Sequence, residues 1–285
     1  MRFGFQVKID KGFERALKYA LELGCECIQT LITSPLTWRI SGNPSGLKWY
    51  VEELRLNDIS PVAIHAPYLL NLATPEEDIY RKSILILSEH LEVAEEVGAD
   101  FVIVHSGSHK GAGASLGMSR LISALQKLSD FHKGKAMILV ENTSGAGGEI
   151  CSSIEEMELL LKEVDKSKIG ICLDTCHLFA FGYDLSSPEK VREISEEVRG
   201  KIGESLKLLH LNDCKTPMGS KIDRHESLGK GRIGLKGIKA IINDSFFKNL
   251  PAIMETPYDP IEDRYNINLA KRLRDESNFE GGKSV

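Results

Sequence analysis

The chain has 285 residues, 42% of them hydrophobic, so it can bury a sizeable core as one large barrel or two ordinary domains. Its net charge of −5 argues against a protein that coats nucleic acid non-specifically, although it leaves room for a local basic surface. No apolar run reaches the length of about 18 residues that a membrane-spanning helix needs. The start lacks a basic-then-apolar signal, so we expect a cytoplasmic protein without a membrane partner.

The six cysteines agree with that compartment. They show no paired C-x-x-C spacing, and several lie inside apolar segments. We therefore predict reduced thiols in the core rather than a disulfide framework or a cysteine-based zinc site.

Short apolar runs alternate with amphipathic helical patterns along the chain. The predicted strands are 2–7, 25–31, 61–66, 101–105, 136–142, 169–175, 206–212 and 252–256. The predicted helices are 11–23, 45–57, 75–97, 117–132, 153–164, 187–200, 234–245 and 261–276. Eight strand–helix units without a linker predict a (β/α)8 TIM barrel, with 1–285 as one domain and a frayed tail at about 277–285. A doubly wound sheet is the alternative, but the first strand is not followed by its usual Gly-rich fingerprint.

Ligand-type side chains end six consecutive predicted strands, and the loop after the seventh strand adds two more. The nine residues are His65, His105, Glu141, Asp174, His177, His210, Asp223, His225 and Glu255. Because the carboxyl ends of barrel strands meet at one rim, where active sites form, these side chains should converge on one basin. Buried carboxylates and imidazoles are costly to desolvate, so the cluster predicts compensating cations.

Taken singly, each of these residues has an ordinary explanation, such as an ion pair with arginine or a hydrogen bond to the backbone. Separate explanations do not account for the shared rim. His90 and His132 lie in helical patterns and are expected on the surface, while His109 is a candidate to support a ligand. Cys176 beside His177 could suggest a catalytic thiol pair, but adjacency in sequence is not the arrangement that activates a thiol.

Nine ligands exceed the roughly four that one zinc ion takes, and they suit two or three ions that share a bridging carboxylate. Nitrogen and oxygen donors without thiolate suit zinc or manganese, and the share of histidine favours zinc. Clustered ions suit phosphoryl chemistry.

Basic residues crowd the segment after the seventh strand, which suggests a phosphate-bearing substrate, although a solvated loop with scattered charges would look the same. These residues are Lys215, Lys221, Arg224, Lys230, Arg232, Lys236 and Lys239.

At these positions the sequence resembles the endonuclease IV family of apurinic/apyrimidinic (AP) endonucleases, from about residue 3 to residue 275. Any one motif alone is weak, whereas the set is highly specific. The motifs are His65-Ala-Pro-Tyr68-Leu69-Leu-Asn71, His105-Ser-Gly-Ser-His109, Glu141-Asn142-Thr143, Cys172-Leu-Asp174-Thr-Cys-His177, His210-Leu-Asn-Asp213, Asp223-Arg-His225-Glu-Ser-Leu-Gly229-Lys-Gly231 and Glu255-Thr-Pro257.

The resemblance implies a barrel with three zinc ions that cuts duplex DNA on the 5′ side of an abasic site and trims blocking groups from 3′ ends. The products of incision would be a 3′-hydroxyl and a 5′-deoxyribose phosphate. Carried over by motif, the three ligand sets would be His65, His105 and Glu141; Glu141, Asp174, His210 and Glu255; and His177, Asp223 and His225, with manganese an alternative at one site. Glu141 would bridge two ions, and Glu255 would orient or deprotonate the attacking hydroxide, so these two are the catalytic candidates.

The family also bends the duplex and wedges side chains into the gap left by the flipped abasic nucleotide, and Tyr68 and Leu69 match that loop. The remaining candidate DNA contacts are Arg39, Lys221, Arg224, Lys230 and Arg232. The chain departs from the family at Leu36, where an arginine is expected, and at Gln6, where many members have histidine. Neither change touches a proposed ligand, so both bear on DNA affinity and lesion range. Wrapping one lesion needs only a monomer.

Two other functions compete with this one. A sugar isomerase or epimerase on a related barrel would use a Glu/Asp/His/Glu set but would leave His65, His105, Asp223 and His225 without a role. A catalytically inactive DNA-binding barrel would lack a ligand, and none of the nine is missing.

Overall fold

The predicted TIM barrel is confirmed by a closed sheet of eight parallel strands. The computed structural model describes residues 1–32 and 44–280. The barrel strands are β1 (Arg2–Lys8), β2 (Cys27–Leu31), β3 (Val62–His65), β4 (Phe101–His105), β5 (Met137–Glu141), β6 (Ile169–Asp174), β7 (Leu206–His210) and β10 (Pro251–Met254). Between β7 and β10 lies a short antiparallel pair, β8 (Asp213–Cys214) and β9 (His225–Glu226), which the sequence pattern did not predict.

Helices surround the barrel. They are α1 (Phe13–Leu23), α2 (Pro44–Leu56), α3 (Glu77–Val97), α4 (Ala114–Phe131), α5 (Ile154–Glu163), α6 (Thr175–Phe181), α7 (Pro188–Lys201), α8 (Gly234–Asn243) and α9 (Pro260–Glu280). Helix α6 is an addition to the predicted set, and it begins directly where β6 ends. Gly24 and Gly98 end α1 and α3 in the left-handed conformation, which glycine adopts without steric cost.

The barrel interior holds a small apolar cluster separate from the larger core between strands and helices. One residue comes from each of seven strands: Cys27, Ala63, Ile103, Leu139, Cys172, Leu208 and Ile253. On β1 the matching position is Gly4, where an added Cβ would overlap the carbonyl group of Cys27. This cluster closes the bottom of the basin.

Side chains alternate between the two faces of a strand, so the next inward position lies two residues further on. That step leads to the carboxyl ends of the strands and to a ring of polar residues. The ring consists of Gln6, Gln29, His65, His105, Glu141, Asp174, His210 and Glu255. The strand period therefore brings six of the nine candidate ligands to one level of the barrel, directly above the apolar cluster.

Other predictions meet mixed outcomes. All six cysteines are buried and unpaired, as predicted. His90 was expected on the surface but is buried in α3, with its Nδ1 bonded to the Ile86 carbonyl. Arg39 lies outside the described residues, as do residues 281–285 of the predicted frayed tail. Within the described ranges, no helix combines the length and apolar character needed to cross a membrane.

Candidate metal centre

The nine predicted ligands lie together at the carboxyl end of the barrel in three groups, two of which share Glu141. Within each group the donor atoms all lie within 4.8 Å of one another. The groups are His65, His105 and Glu141; Glu141, Asp174, His210 and Glu255; and His177, Asp223 and His225. The groups coincide with the three sets that the family resemblance implies.

Glu141 stands at the end of β5 and is fully buried, with each carboxylate oxygen facing a different group. Its Oε2 lies 3.1 Å from His65 Nε2 and 3.2 Å from His105 Nε2. Its Oε1 lies 2.8 Å from His210 Nδ1. A carboxylate placed in this way can bridge two cations, because each oxygen is available to a separate ion.

The third group is supplied by α6, which carries His177, and by the β8–β9 pair, which carries Asp223 in its connecting loop and His225 in β9. Asp174 caps α6 by accepting the backbone N–H of His177 at 2.8 Å, which holds that imidazole at the rim. The two oxygens of Asp223 lie 3.2 Å from His177 Nε2 and 3.1 Å from His225 Nε2. Asp223 remains 45% exposed, so this group faces the mouth of the basin.

Four imidazoles place one nitrogen against an oxygen outside the donor cluster and leave the other nitrogen facing the carboxylates. The contacts are His65 Nδ1 to the Ala66 carbonyl (2.6 Å), His177 Nδ1 to the Asn142 carbonyl (2.8 Å), His225 Nδ1 to the Glu255 carbonyl (3.1 Å) and His210 Nε2 to Gln29 Oε1 (2.8 Å). Metal-bound histidines commonly donate their second N–H in this way, because that bond sets both the tautomer and the ring orientation.

The electrostatics of the basin demand positive charge. Burial opposes ionisation of Glu141, but the imidazoles of His210 and His105 outweigh it and hold the pKa of this carboxyl well below its usual range. Burial likewise opposes the charged form of His225, but nearby carboxylates, Asp174 foremost, raise its pKa to about 9. Divalent cations would supply the charge that protons otherwise supply here, so the donor set fits metal ions.

One buried donor supports this fit directly. The Nε2 atom of His225 has no hydrogen-bond partner among the described residues. It nevertheless lies 3.1 Å from Asp223 Oδ1 and 3.6 Å from Asp174 Oδ2. A nitrogen directed between carboxylates without a hydrogen bond is arranged as a metal ligand would be.

Cys176 also comes within reach of Asp174 and His225. Its thiol donates to Asp223 Oδ1 at 3.8 Å. Nitrogen and oxygen donors fill the three predicted groups without this thiol.

Two asparagines that carried no role in the sequence predictions hold the ligands in place. Asn142 accepts the backbone N–H of Asp174 at 2.6 Å. Asn212 donates to Asp174 Oδ2 at 2.7 Å and accepts the backbone N–H of Glu255 at 2.8 Å. The available signal was position, since Asn142 follows Glu141 and Asn212 lies two residues after His210, the ligand that ends β7.

The predicted wedge residues lie on the rim beside the first group. Tyr68 is 48% exposed and Leu69 is 36% exposed. The ring of Tyr68 lies 5.3 Å from the rings of both His65 and His105. The structure thus places an exposed apolar pair directly next to the candidate metal centre.

The predicted basic contacts lie in two loops on the same rim. Arg224 and Lys221 are exposed in the loop that carries Asp223, and Arg232 is exposed in the following turn. Lys230, also exposed, pairs with Glu262 at 2.6 Å, so an acidic neighbour already offsets its charge.

Asp213 organises the second of these loops. Its fully buried carboxylate accepts backbone N–H groups from Gly229, Gly231 and Ile233, each at 3.0 Å. A Cβ added to Gly231 would overlap this carboxylate, so the turn requires glycine there. The sequence predictions gave Asp213 no role, because a carboxylate that binds only backbone leaves no charge pattern.

A family model described as "Xylose isomerase-like TIM barrel" matches residues 17–279. "Probable endonuclease 4" of Carboxydothermus hydrogenoformans is 39% identical over 278 residues, covering 97% of each chain. The crystal structure of endonuclease IV from Thermus thermophilus superimposes with a TM-score of 0.85 at 31% identity, over 97% of this chain and all of that one. A D-tagatose 3-epimerase-like protein superimposes with a TM-score of 0.72 at 17% identity, over 98% of this chain and all of that one, which shows a shared fold alone.

Fold and centre thus define a protein of the xylose isomerase-like TIM barrel class, with a cluster of metal-type ligands at the strand ends. Within that class, the chain belongs to the endonuclease IV family of AP endonucleases.

Proposed function

We propose that the chain is a zinc-dependent AP endonuclease that hydrolyses the phosphodiester bond on the 5′ side of an abasic site in duplex DNA. The products would be a 3′-hydroxyl and a 5′-deoxyribose phosphate. The observation that carries the proposal is the convergence of nine nitrogen and oxygen donors at one end of the barrel, with Glu141 shared by two of the three groups. Such a cluster suits phosphate ester hydrolysis, in which several ions share the charge of the reacting phosphate.

The three groups described above would each hold one zinc ion, with manganese an alternative at one of them. When bound, the ions would supply a water activated near neutral pH and would neutralise charge on the phosphate and the leaving oxygen. Glu255 would take the proton of the attacking water, because its carboxylate belongs to the second group and its side chain, 6% exposed, is shielded from bulk solvent. Its backbone N–H is held by Asn212, which keeps the carboxylate over the basin.

The rim supplies the contacts that a DNA substrate needs. Tyr68 and Leu69 would enter the gap left by the flipped abasic nucleotide, since an exposed apolar pair offsets the loss of base stacking. Lys221, Arg224 and Arg232 would contact phosphates, with Lys230 contributing less because of its pair with Glu262. One chain carries all of these elements, so we infer that a monomer is sufficient, and that the same basin trims blocked 3′ ends.

The direct test is a duplex with one tetrahydrofuran abasic analogue, incubated with purified protein with and without a chelator. We expect hydrolytic incision 5′ to the analogue, lost on chelation, and metal analysis near three zinc ions per chain. A nicked duplex ending in a 3′-phosphate tests the trimming activity. Metal-replete protein that leaves the analogue intact would overturn the proposal, and one or two ions per chain would favour a sugar isomerase instead.

The role of Glu255 is tested by Glu255→Gln. We expect incision to fall on the order of 10²–10⁴-fold, the usual contribution of a general base, while binding of the abasic duplex persists. Glu92→Gln, on the exposed face of α3, is the matched control. Incision by Glu255→Gln at the parental rate would show that this carboxylate takes no proton.

A further inference from the structure

The ring of inward-facing residues contains two members that are not metal-type ligands. Six strands contribute histidine or carboxylate, whereas β1 contributes Gln6 and β2 contributes Gln29. The two glutamines lie opposite each other in the register of the parallel pair. An amide neither binds zinc strongly nor carries charge, so its presence in this ring needs a separate explanation.

Gln29 is fully buried, and its side-chain amide is fully used. Its Nε2 donates to Glu255 Oε1 at 2.6 Å and to Gln6 Oε1 at 2.8 Å. Its Oε1 accepts the Nε2–H of His210 at 2.8 Å. One amide therefore binds two members of the same candidate metal group from opposite sides.

We propose that Gln29 is a positioning residue for the second metal group, which orients the carboxylate of Glu255 and fixes the tautomer of His210. The inference rests on the proposed function, because it takes these two residues as zinc ligands. Because Gln29 accepts a hydrogen bond from the Nε2–H of His210, the imidazole carries its proton on Nε2. Nδ1, which lies 2.8 Å from Glu141 Oε1, is then the nitrogen with a free lone pair. Gln29 also donates to Oε1 of Glu255. The other carboxylate oxygen, Oε2, then faces His210 Nδ1 at 3.3 Å.

The chemistry of the neighbours restricts this position to an amide. A carboxylate at residue 29 would repel Glu255, and an ammonium group would repel the cations. A hydrophobic side chain would leave the Nε2–H of His210 buried without an acceptor, which is costly. An amide of this length offers a donor on one side and an acceptor on the other, which matches both neighbours.

Gln6 completes the arrangement. It takes the second N–H of Gln29, so the amide of Gln29 cannot rotate without breaking a bond. Gln6 and Gln29 therefore reach Glu255 as a hydrogen-bonded pair, in which Gln6 fixes the orientation of the Gln29 amide.

Two substitutions separate the role of the Gln29 amide oxygen, which accepts from His210, from that of the amide nitrogen, which donates to Glu255. Gln29→Met keeps the length of the side chain and removes both contacts, so we expect zinc affinity to fall 10–100-fold. The kcat for the tetrahydrofuran duplex should fall by a similar factor, while KM stays within about twofold of the parental value. Gln29→Glu keeps the acceptor for His210 but removes the donor to Glu255. It should lower zinc affinity less than Gln29→Met does, because the bond to His210 remains, while kcat stays at least about tenfold lower.

Zinc affinity is measured on DNA-free protein by competition with a chromophoric chelator, and thermal unfolding is recorded for each variant. Gln126→Met is the matched control, because Gln126 is exposed on α4 and donates only to the Glu163 carbonyl. Parental zinc affinity and kcat in Gln29→Met would overturn the positioning role. A loss of kcat carried wholly by KM, or equal zinc losses in Gln29→Met and Gln29→Glu, would also overturn it.

If Gln29→Met does not fold, Gln29→Glu and Gln6→Met decide the question by the same zinc competition. Gln6→Met should lower zinc affinity less than Gln29→Met does, because the bonds to Glu255 and His210 remain. Parental protein that fails to cut the abasic duplex would overturn the proposed function. The zinc affinities of the variants would still test the role of Gln29.

Discussion

The nine candidate ligands come from two regions of the molecule that hold their side chains by different means. The strand region consists of the six at the barrel strand ends, and the loop region consists of His177, Asp223 and His225. Glu141 and His210 in the strand region are fully buried, whereas Asp223 in the loop region is 45% exposed. The contrast in exposure rests on Asp223, because His177 in the loop region is buried like Glu141 and His210 in the strand region.

The difference follows from what supports each region. Ligands of the strand region sit on neighbouring strands of one parallel ladder, where His105 is paired with Glu141 and Asp174 with His210. Ligands of the loop region depend on a seven-residue helix and a two-residue ladder. Short elements with solvent-exposed bonds open more easily than a closed barrel. The strand region should therefore hold its ions more firmly than the loop region does.

The strongest way to break the strand region is Glu141→Gln, because both of its groups share this carboxylate. We expect incision to fall on the order of 10³-fold or more, beyond the 10–100-fold that loss of a supporting contact costs. Metal analysis should show both strand-region ions weakened. The surface variant Glu163→Gln serves as control. Retention of all ions by Glu141→Gln would contradict the bridging role.

Asp223→Asn acts on the loop region alone. We expect the loss of about one zinc ion per chain and a fall in incision of roughly 10²-fold, because the other two groups remain complete. In the parent protein a chelator should remove this ion first, so zinc release should be biphasic, with about one third in the fast phase. A single phase would show that the two regions hold metal equally.

The sequence predicts the strand region well because a period of two and a common rim suffice to bring strand-end residues together. The sequence predictions gave Gln29 no role and named Gln6 only as a departure from the family, since an amide does not look like a ligand until its partners are known. The bonds from Gln29 to Glu255 and His210 join residues 226 and 181 positions apart, which no local pattern encodes.

The loop region was predicted by residue type but not by geometry. Helix α6 is too short for a periodic pattern, and its start depends on Asp174, which is both a candidate ligand and a helix cap. The β8–β9 pair has two residues in each strand, too few for an alternating signal. Exposure of His90 was wrongly predicted because polarity was taken as a sign of surface, whereas a helix-internal bond to Ile86 satisfies its Nδ1.

Asp213→Asn tests what holds the basic turn next to the loop region. The amide keeps one acceptor oxygen and replaces the other with a donor, which would face the N–H groups of Gly229 and Gly231. We expect a stability loss of about 1–3 kcal/mol and several-fold weaker binding of abasic duplex, with zinc content unchanged. Urea unfolding and fluorescence anisotropy measure the two effects. Asp130→Asn, exposed on α4, is the control, and unchanged DNA affinity would separate this turn from substrate binding.

Asp263 offers a reference for both regions, because it is a buried carboxyl without imidazole neighbours. Burial raises its pKa to about 6, and its strongest contact is the hydroxyl of Tyr19, which donates to it at 2.6 Å. The folded state therefore keeps a proton that the unfolded chain releases near its ordinary pKa of 3.8, so folding stability falls as pH rises between about 4 and 6. Asp263→Asn removes this dependence.

We expect the difference in unfolding free energy between the parent and Asp263→Asn to depend on pH, and the rate of incision to stay unchanged. The variant should gain about 1–2 kcal/mol of unfolding free energy relative to the parent on going from about pH 4.5 to pH 7.5. Urea unfolding at the two pH values measures it, and subtracting parent from variant cancels the titration of the basin histidines. A difference that stays constant with pH would mean that Asp263 is ionised in the fold. In that case burial would not raise the pKa of Asp263, and Asp263 would not contrast with Glu141, whose pKa the neighbouring histidines lower.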